Sequence, residues 1–207
     1  MWNVFLTFPP ESVIAFALSG IVLNLAPGPD VFFATASGLQ GGPRAGAAAG
    51  IGVGLGVTFH VGLAALGLSA LIAANPGALH AIKWAGSAYL LFLAWKSWTA
   101  PAASSGKRGA THPRRAFARG ILSNVLNPKP VLFLIAFLPQ FTNPAIGPLW
   151  QQILVLGAIF AATGAIITAG YGVLAGVLGS ALAARLSILN RVAAVVFGGL
   201  ALKLATE

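Results

Sequence analysis

Two Pro-x-Pro pairs, each set inside an apolar run, constrain this chain more than any other feature. They are Ala26-Pro27-Gly28-Pro29-Asp30 in the first fifth and Asn127-Pro128-Lys129-Pro130 in the second half. Proline lacks an N–H donor and its ring clashes with the preceding turn, so neither pair fits inside an unbroken α-helix. Lipid offers no partners to the freed backbone groups, and a helix broken at membrane depth must be buried in protein or line a cavity. Interrupted apolar segments in corresponding places of two halves are the pattern expected of a secondary transporter.

The composition places those breaks in a membrane. Of 207 residues, 57% are hydrophobic and only 7% charged, with a mean hydropathy of +0.88, whereas roughly a quarter of a soluble domain is charged. The expectation is an all-α integral membrane protein. A span needs about 20 largely apolar residues, and six such blocks are present, near 12–37, 45–73, 80–98, 116–139, 149–179 and 187–205. The absence of cysteine removes thiol redox chemistry, Cys-ligated metals and disulfides, and leaves the compartment open. Residues 1–12 carry Glu11 and no Lys or Arg, so they lack the basic region of a cleaved signal peptide and are expected to be retained.

The net charge of +9 suggests nucleic acid until the basic residues are placed. The first, third and fifth connections and their flanks hold Arg44; Lys96, Lys107, Arg108, Arg114, Arg115 and Arg119; and Arg185 and Arg191. The opposite side keeps Lys83 and Lys203, and Lys129 lies within the fourth span. By the positive-inside rule the richer side is cytoplasmic, and both termini are expected on the outer face. The 107–115 stretch also fits a basic patch for acidic lipid, but the charge reads first as a topology signal and no nucleic-acid partner is expected.

The halves repeat. An offset of 101 pairs Ala15-Phe16-Ala17 with Ala116-Phe117-Ala118, Leu25 with Leu126, Pro27 with Pro128, Pro29 with Pro130 and Phe32 with Phe133. At an offset of 107, Leu93-Ala94-Trp95-Lys96 meets Leu200-Ala201-Leu202-Lys203. Three spans per repeat force the second repeat to insert upside down, which gives two inverted three-helix repeats, 1–98 and 116–207, with broken first and fourth helices. A polar linker, 99–115, joins them, rich in Ala-Pro, Ser-Ser-Gly and basic residues.

Other features read as packing or as anchors. Gly46, Gly50, Gly54, Gly52 and Gly56 on the second span, and Gly164, Gly170, Gly172, Gly176 and Gly179 on the fifth, allow close helix approach. They also permit a homodimer. Thr163, Thr168 and Tyr171 read as hydrogen-bonding packing residues, and Trp84, Tyr89, Trp95 and Trp98 as interface anchors. His60 reads equally as a structural histidine and as a proton carrier.

Ala-Pro-Gly-Pro-Asp, the glycine-rich second span with its His, Tyr89-Leu90-Leu91-Phe92-Leu93-Ala94-Trp95-Lys96 and Asn127-Pro128-Lys129 together resemble the LysE/RhtB superfamily of amino-acid exporters along essentially the whole chain. Ala94 stands where the family often has Gly. The resemblance implies efflux of amino acids or related metabolites across the bacterial inner membrane, driven by the proton motive force.

The residues offer chemistry suited to a zwitterion. Half-helices beginning at Pro29 and Pro128 would present unpaired N–H groups and positive dipole ends to a carboxylate, and Asn127 suits an N-cap ahead of proline at the first helical position. Asp30 is the candidate for the ammonium group and for the coupling proton, with His60 beside it as a second proton-coupling candidate. A carboxyl that takes either a proton or a cationic partner makes the two mutually exclusive, as antiport requires. Its bland reading is a helix cap or a pair with Lys129. A charge at the bilayer centre costs at least about 2.5–3.5 kcal/mol, which favours function without excluding a structural pair.

Lys129 occupies the register position of Gly28 and could hold the substrate carboxylate or release Asp30. Asn24, Asn124 and Ser123 lie within a turn of the breaks as neutral donors or as partners of freed carbonyls. The candidate substrate-binding set is therefore Asn24, Pro27, Gly28, Pro29, Asp30, Asn124, Asn127, Pro128 and Lys129. No cofactor, metal site or catalytic group is expected. The rivals are export of a metal or other inorganic cation, for which one intramembrane acid is too few, and an intramembrane enzyme, for which no Gly-x-Ser-x-Gly elbow or second acid is present.

Overall fold

A computed structural model describes residues 8–75, 77–99 and 109–206. The start of the chain, Pro76 and most of the linker, with Lys107 and Arg108, lie outside these residues. All regular structure among them is helical: α1 (Pro10–Leu25), α2 (Pro29–Ala74), α3 (Ala78–Trp98), α4 (Pro113–Val125), α5 (Pro128–Phe137) with a 3-10 turn at Leu138–Phe141, α6 (Leu149–Leu178) and α7 (Ser180–Thr206).

Prolines and glycines set the boundaries. Pro10, Pro29, Pro113 and Pro128 each occupy the first turn of their helix, where a missing N–H costs nothing. Both Pro-x-Pro pairs separate two helices, α1 from α2 and α4 from α5, and the second pair of helices bends by 50° across its break. Gly179, at φ 63°, ends α6 in a backbone conformation that side chains resist.

The 46 residues of α2 would measure about 70 Å as one rod, against a hydrocarbon layer of about 30 Å. The helix is instead interrupted at Gly42, which takes φ 76° and ψ 178° just ahead of Pro43. The chain folds back there. Gly38 and Gly46, on either side of the interruption, both abut the Gly172 backbone, and Ala34 shares a buried cluster with Ala45 and Ala49.

By length and apolarity, two helices among the described residues suffice to cross a membrane, Pro29–Leu71 and Leu149–Leu178, and the bent pair Pro113–Val125 with Pro128–Phe141 makes a third. Shorter apolar helices lie at Pro10–Leu25 and Asn190–Leu202. This differs from six separable blocks because the breaks shorten α1, α4 and α5, because the Gly42 reversal leaves two arms in one helix, and because His80, Lys83 and Lys96 dilute α3. The molecule is an all-α, multi-pass membrane bundle.

α2 packs against α6 and α4, α1 against α6, and α3 against α7. The α2–α6 seam is built of small residues: Gly46 meets Gly172, Gly50 meets Ala169 and Gly54 meets Ala165, while Gly52 and Gly56 receive Phe117 and Asn124 of α4. The second-span glycines expected to allow close packing therefore act inside the chain. An aromatic cluster sits beside the second break, with Phe133 stacked on Phe137 at 4.7 Å and on Phe160 at 5.1 Å, and Phe16 edge-on to Phe141 at 5.5 Å. Such pairs contribute about 0.5–1.5 kcal/mol each beyond burial, and these tie α1, α5 and α6 together. Residues 109–112 dock on the first arm of α2, where Ala110 N–H donates to Ser37 Oγ at 3.1 Å.

Candidate functional site

The two breaks meet, and each is completed by residues of the other. Asp30, in the first turn of α2 and 8% exposed, accepts three side-chain hydrogen bonds from the second break. Ser123 Oγ donates to Oδ1 at 2.9 Å, and Asn124 Nδ2 and Asn127 Nδ2 both donate to Oδ2 at 2.8 Å. Lys129 reaches the other way. Its Nζ donates to the carbonyls of Leu23 and Ala26, each at 2.8 Å, at the C-terminal end of α1. A cation there neutralises the negative end of the helix dipole and satisfies carbonyls that the proline break leaves free.

Neither bland reading of Asp30 describes its contacts. It caps no helix through its side chain and makes no direct pair with Lys129; its oxygens face neutral donors. Asn127 performs two tasks, since its Oδ1 also accepts from the Lys129 N–H at 3.1 Å as the N-cap of α5. That uses one of the N–H groups expected to face a carboxylate. Two of the three donors on the Lys129 ammonium are used by carbonyls, leaving one.

His60 is 3% exposed, with Nε2 2.9 Å from the Asn124 carbonyl oxygen and Nδ1 without a partner. It thus reaches Asp30 through one residue. Asn24 turns away from the acid, donating to Thr163 Oγ1 at 3.2 Å and to the Phe160 carbonyl at 3.4 Å. Tyr171 OH donates to the Leu25 carbonyl at 2.9 Å, so α6 also helps satisfy the broken end of α1.

Two cavities flank the breaks. A small one, about 30 Å³, is lined by Asn24, Asp30, Asn124, Asn127, Lys129 and Thr168 among others. A large one, about 760 Å³, lies between the breaks and the α3–α7 pair. Gly28, Asn127 and Lys129 line both, and Pro27, Pro29 and Pro128 line the large one only. Its far wall carries Tyr89, Phe92, Trp95 and Lys96 of α3. The expectation that Tyr89 and Trp95 are interface anchors therefore misses their second environment. The i, i+3, i+6 spacing of Tyr89, Phe92 and Trp95 is the signal that groups them on one helical face.

A family model described as LysE type translocator matches residues 21–207. A membrane protein of Vibrio cholerae is 33% identical over 168 residues, covering 80% of this chain and 82% of the relative. A homoserine/homoserine lactone efflux protein of Salmonella typhi is 35% identical over 163 residues, 78% of this chain and 79% of the relative. A cysteine/O-acetylserine efflux protein of Salmonella choleraesuis is 31% identical over 138 residues, 65% of this chain and 59% of the relative. No solved structure matches the chain. With paired proline breaks in a multi-pass helical bundle and a family match across nearly its whole length, the chain belongs to the LysE family of inner-membrane translocators.

Proposed function

We propose that this translocator exports amino acids or related metabolites from the cytoplasm in exchange for protons, by alternating access around the two breaks. The observation that carries the proposal is the reciprocal bonding of Asp30 and Lys129, each charge being held by the opposite break. The efflux named for the Salmonella typhi relative, of homoserine and its lactone, supports small amino-acid-like cargo.

The structural reading is six spans in two inverted three-helix repeats, 1–98 and 116–207, joined by the 99–115 linker, with both termini on the outer face. The Gly42 reversal supports two spans within α2, and the basic residues clustered at the first, third and fifth connections support the orientation. The large cavity reaches Trp95, Lys96 and Thr99 at the end of α3 next to the basic linker, which supports reading it as a vestibule on the cytoplasmic side. Any homodimer uses a face other than the second-span glycines that face α4 and α6.

In this mechanism the substrate carboxylate takes the free donor of Lys129, and the ammonium group displaces neutral donors from Asp30. Loss of substrate outward leaves Asp30 to take a proton, with His60, held on the Asn124 backbone, as the adjoining titratable group, so substrate and proton occupy the acid in turn. Purified protein in liposomes tests this. An imposed pH gradient should drive exchange of labelled homoserine or a similar small amino acid. Flux confined to a parallel panel of metal cations would overturn the proposal.

A further inference from the structure

The vestibule is large and lopsided in charge. Its 760 Å³ lies within the range of about 300–1,000 Å³ in which pockets enclose drug-sized ligands, and a serine-sized molecule would leave most of it empty. Five aromatic residues line it, Phe32, Tyr89, Phe92, Trp95 and Phe197. Three of them form a ladder on α3, with ring centroids 6.2 Å apart from Tyr89 to Phe92 and 6.2 Å from Phe92 to Trp95. Lys96 Nζ lies 5.9 Å from the centre of the Phe92 ring. Among the described residues, Lys96 and Lys129 are the charged members of the wall, and no acid joins them, because Asp30 faces the small cavity.

Apolar aromatic surface beside two cations suits one kind of molecule. A carboxylate with a bulky apolar group is attracted at one end and desolvated at the other, while a cationic solute meets like charge with no carboxylate to offset it. We infer that the vestibule selects carboxylates bearing a large apolar or aromatic group, the Tyr89–Phe92–Trp95 ladder holding that group and Lys96 and Lys129 drawing the carboxylate to the breaks. This rests on the export reading and narrows its substrates to aromatic or branched-chain amino acids, against lysine-like cations.

Phe92 is 48% and Trp95 64% exposed, so trimming either leaves the packed core intact. The full chain in phosphatidylcholine nanodiscs, titrated with phenylalanine, N-acetylphenylalanine, phenylalaninamide, lysine and serine and followed by tryptophan fluorescence and equilibrium dialysis, tests the inference. Both carboxylates should bind at least about tenfold tighter than serine, lysine and the cationic amide. Phe92→Ala should cut the phenylalanine-to-serine affinity ratio about tenfold, as loss of one well-placed aromatic contact would. Lys96→Gln should weaken N-acetylphenylalanine more than phenylalaninamide.

Equal binding of the amide and the acid, or an unchanged ratio in Phe92→Ala, would overturn the inference. So would displacement of phenylalanine by phosphatidylglycerol with no discrimination among the amino acids, which would make the cavity a lipid groove. Flux in liposomes is scored separately. Proton-driven serine flux without preference for bulky carboxylates removes the selectivity and leaves the export reading. Selective binding without proton-driven flux of any substrate removes the export reading instead.

Discussion

Asn127 donates its side-chain amide to Asp30 at 2.8 Å while its carbonyl oxygen caps the helix that carries Lys129. One residue thus couples the acid of the first break to the backbone of the second. A shift of α5 relative to α2 must stretch this bond. That gives the breaks a physical means of sensing each other, because an unpaired buried carboxylate is costly.

Asp30→Asn removes the charge and turns an amide toward three donors. Export in liposomes should fall to background, with the protein still folded and its melting temperature lowered by an amount consistent with about 1–3 kcal/mol for mismatched buried groups. Ser123→Ala leaves the charge and two of its three donors and should reduce flux far less. Wild-type flux from Asp30→Asn would remove Asp30 from the mechanism.

Lys129→Gln loses the charge-assisted bonds to the Leu23 and Ala26 carbonyls. Hydrogen bonds to charged groups contribute about 1.5–3 kcal/mol, and the variant should unfold at measurably lower denaturant in detergent as well as export poorly. Lys129→Arg, which keeps the charge, should recover part of the stability. Equal stability of the Gln variant and the parent would show that the ammonium is not the cap of α1.

Gly46 abuts the Gly172 backbone, so a side chain there collides with main chain that cannot move aside. Gly46→Leu should lower the yield of folded protein and destabilise it by about 1–3 kcal/mol or more. Gly62 has open space around its Cβ position, and Gly62→Ala should be neutral or stabilising by about 0.5 kcal/mol. Thermal melts of both variants in one detergent make the comparison.

His60→Gln retains a donor for the Asn124 carbonyl but cannot carry a proton at physiological pH. Substrate binding should persist, while stimulation of flux by an imposed pH gradient should drop several-fold. A full response to the gradient would assign His60 a purely structural role.

The chain contains no cysteine, so single-cysteine variants report topology directly. In intact cells a membrane-impermeant maleimide should label Thr206→Cys and spare Thr99→Cys, and inverted vesicles should reverse the pattern. The opposite result would place the termini inside.

The positions of the breaks were legible in the residues because proline acts locally, through its own missing donor and its own ring, whatever surrounds it. Pro29 and Pro128 begin helices, and Gly42, in a Gly-Gly-Pro sequence, interrupts α2. The contacts of Asp30, Lys129 and Asn24 were not legible. Each side chain has several partners within reach in sequence, and its choice depends on which helix lies opposite, so Asn24 turned to Thr163 on α6 and away from the acid. The cavity-lining position of Tyr89 and Trp95 was not legible for a related reason, since an aromatic residue near a helix end fits a lipid interface and a cavity wall equally well.

By itself, then, the sequence determined an all-helical membrane chain with two interrupted helices, a single intramembrane acid and a lysine in the register-matched break, because hydropathy and proline geometry need no long-range information. Only the tertiary structure decided that the two charges are held crosswise by opposite breaks with two cavities meeting at Lys129. Those features arise from the packing of helices that lie about a hundred residues apart in the chain, where small residues on α2 and α6 set how closely backbones approach and so which polar groups come within hydrogen-bonding distance.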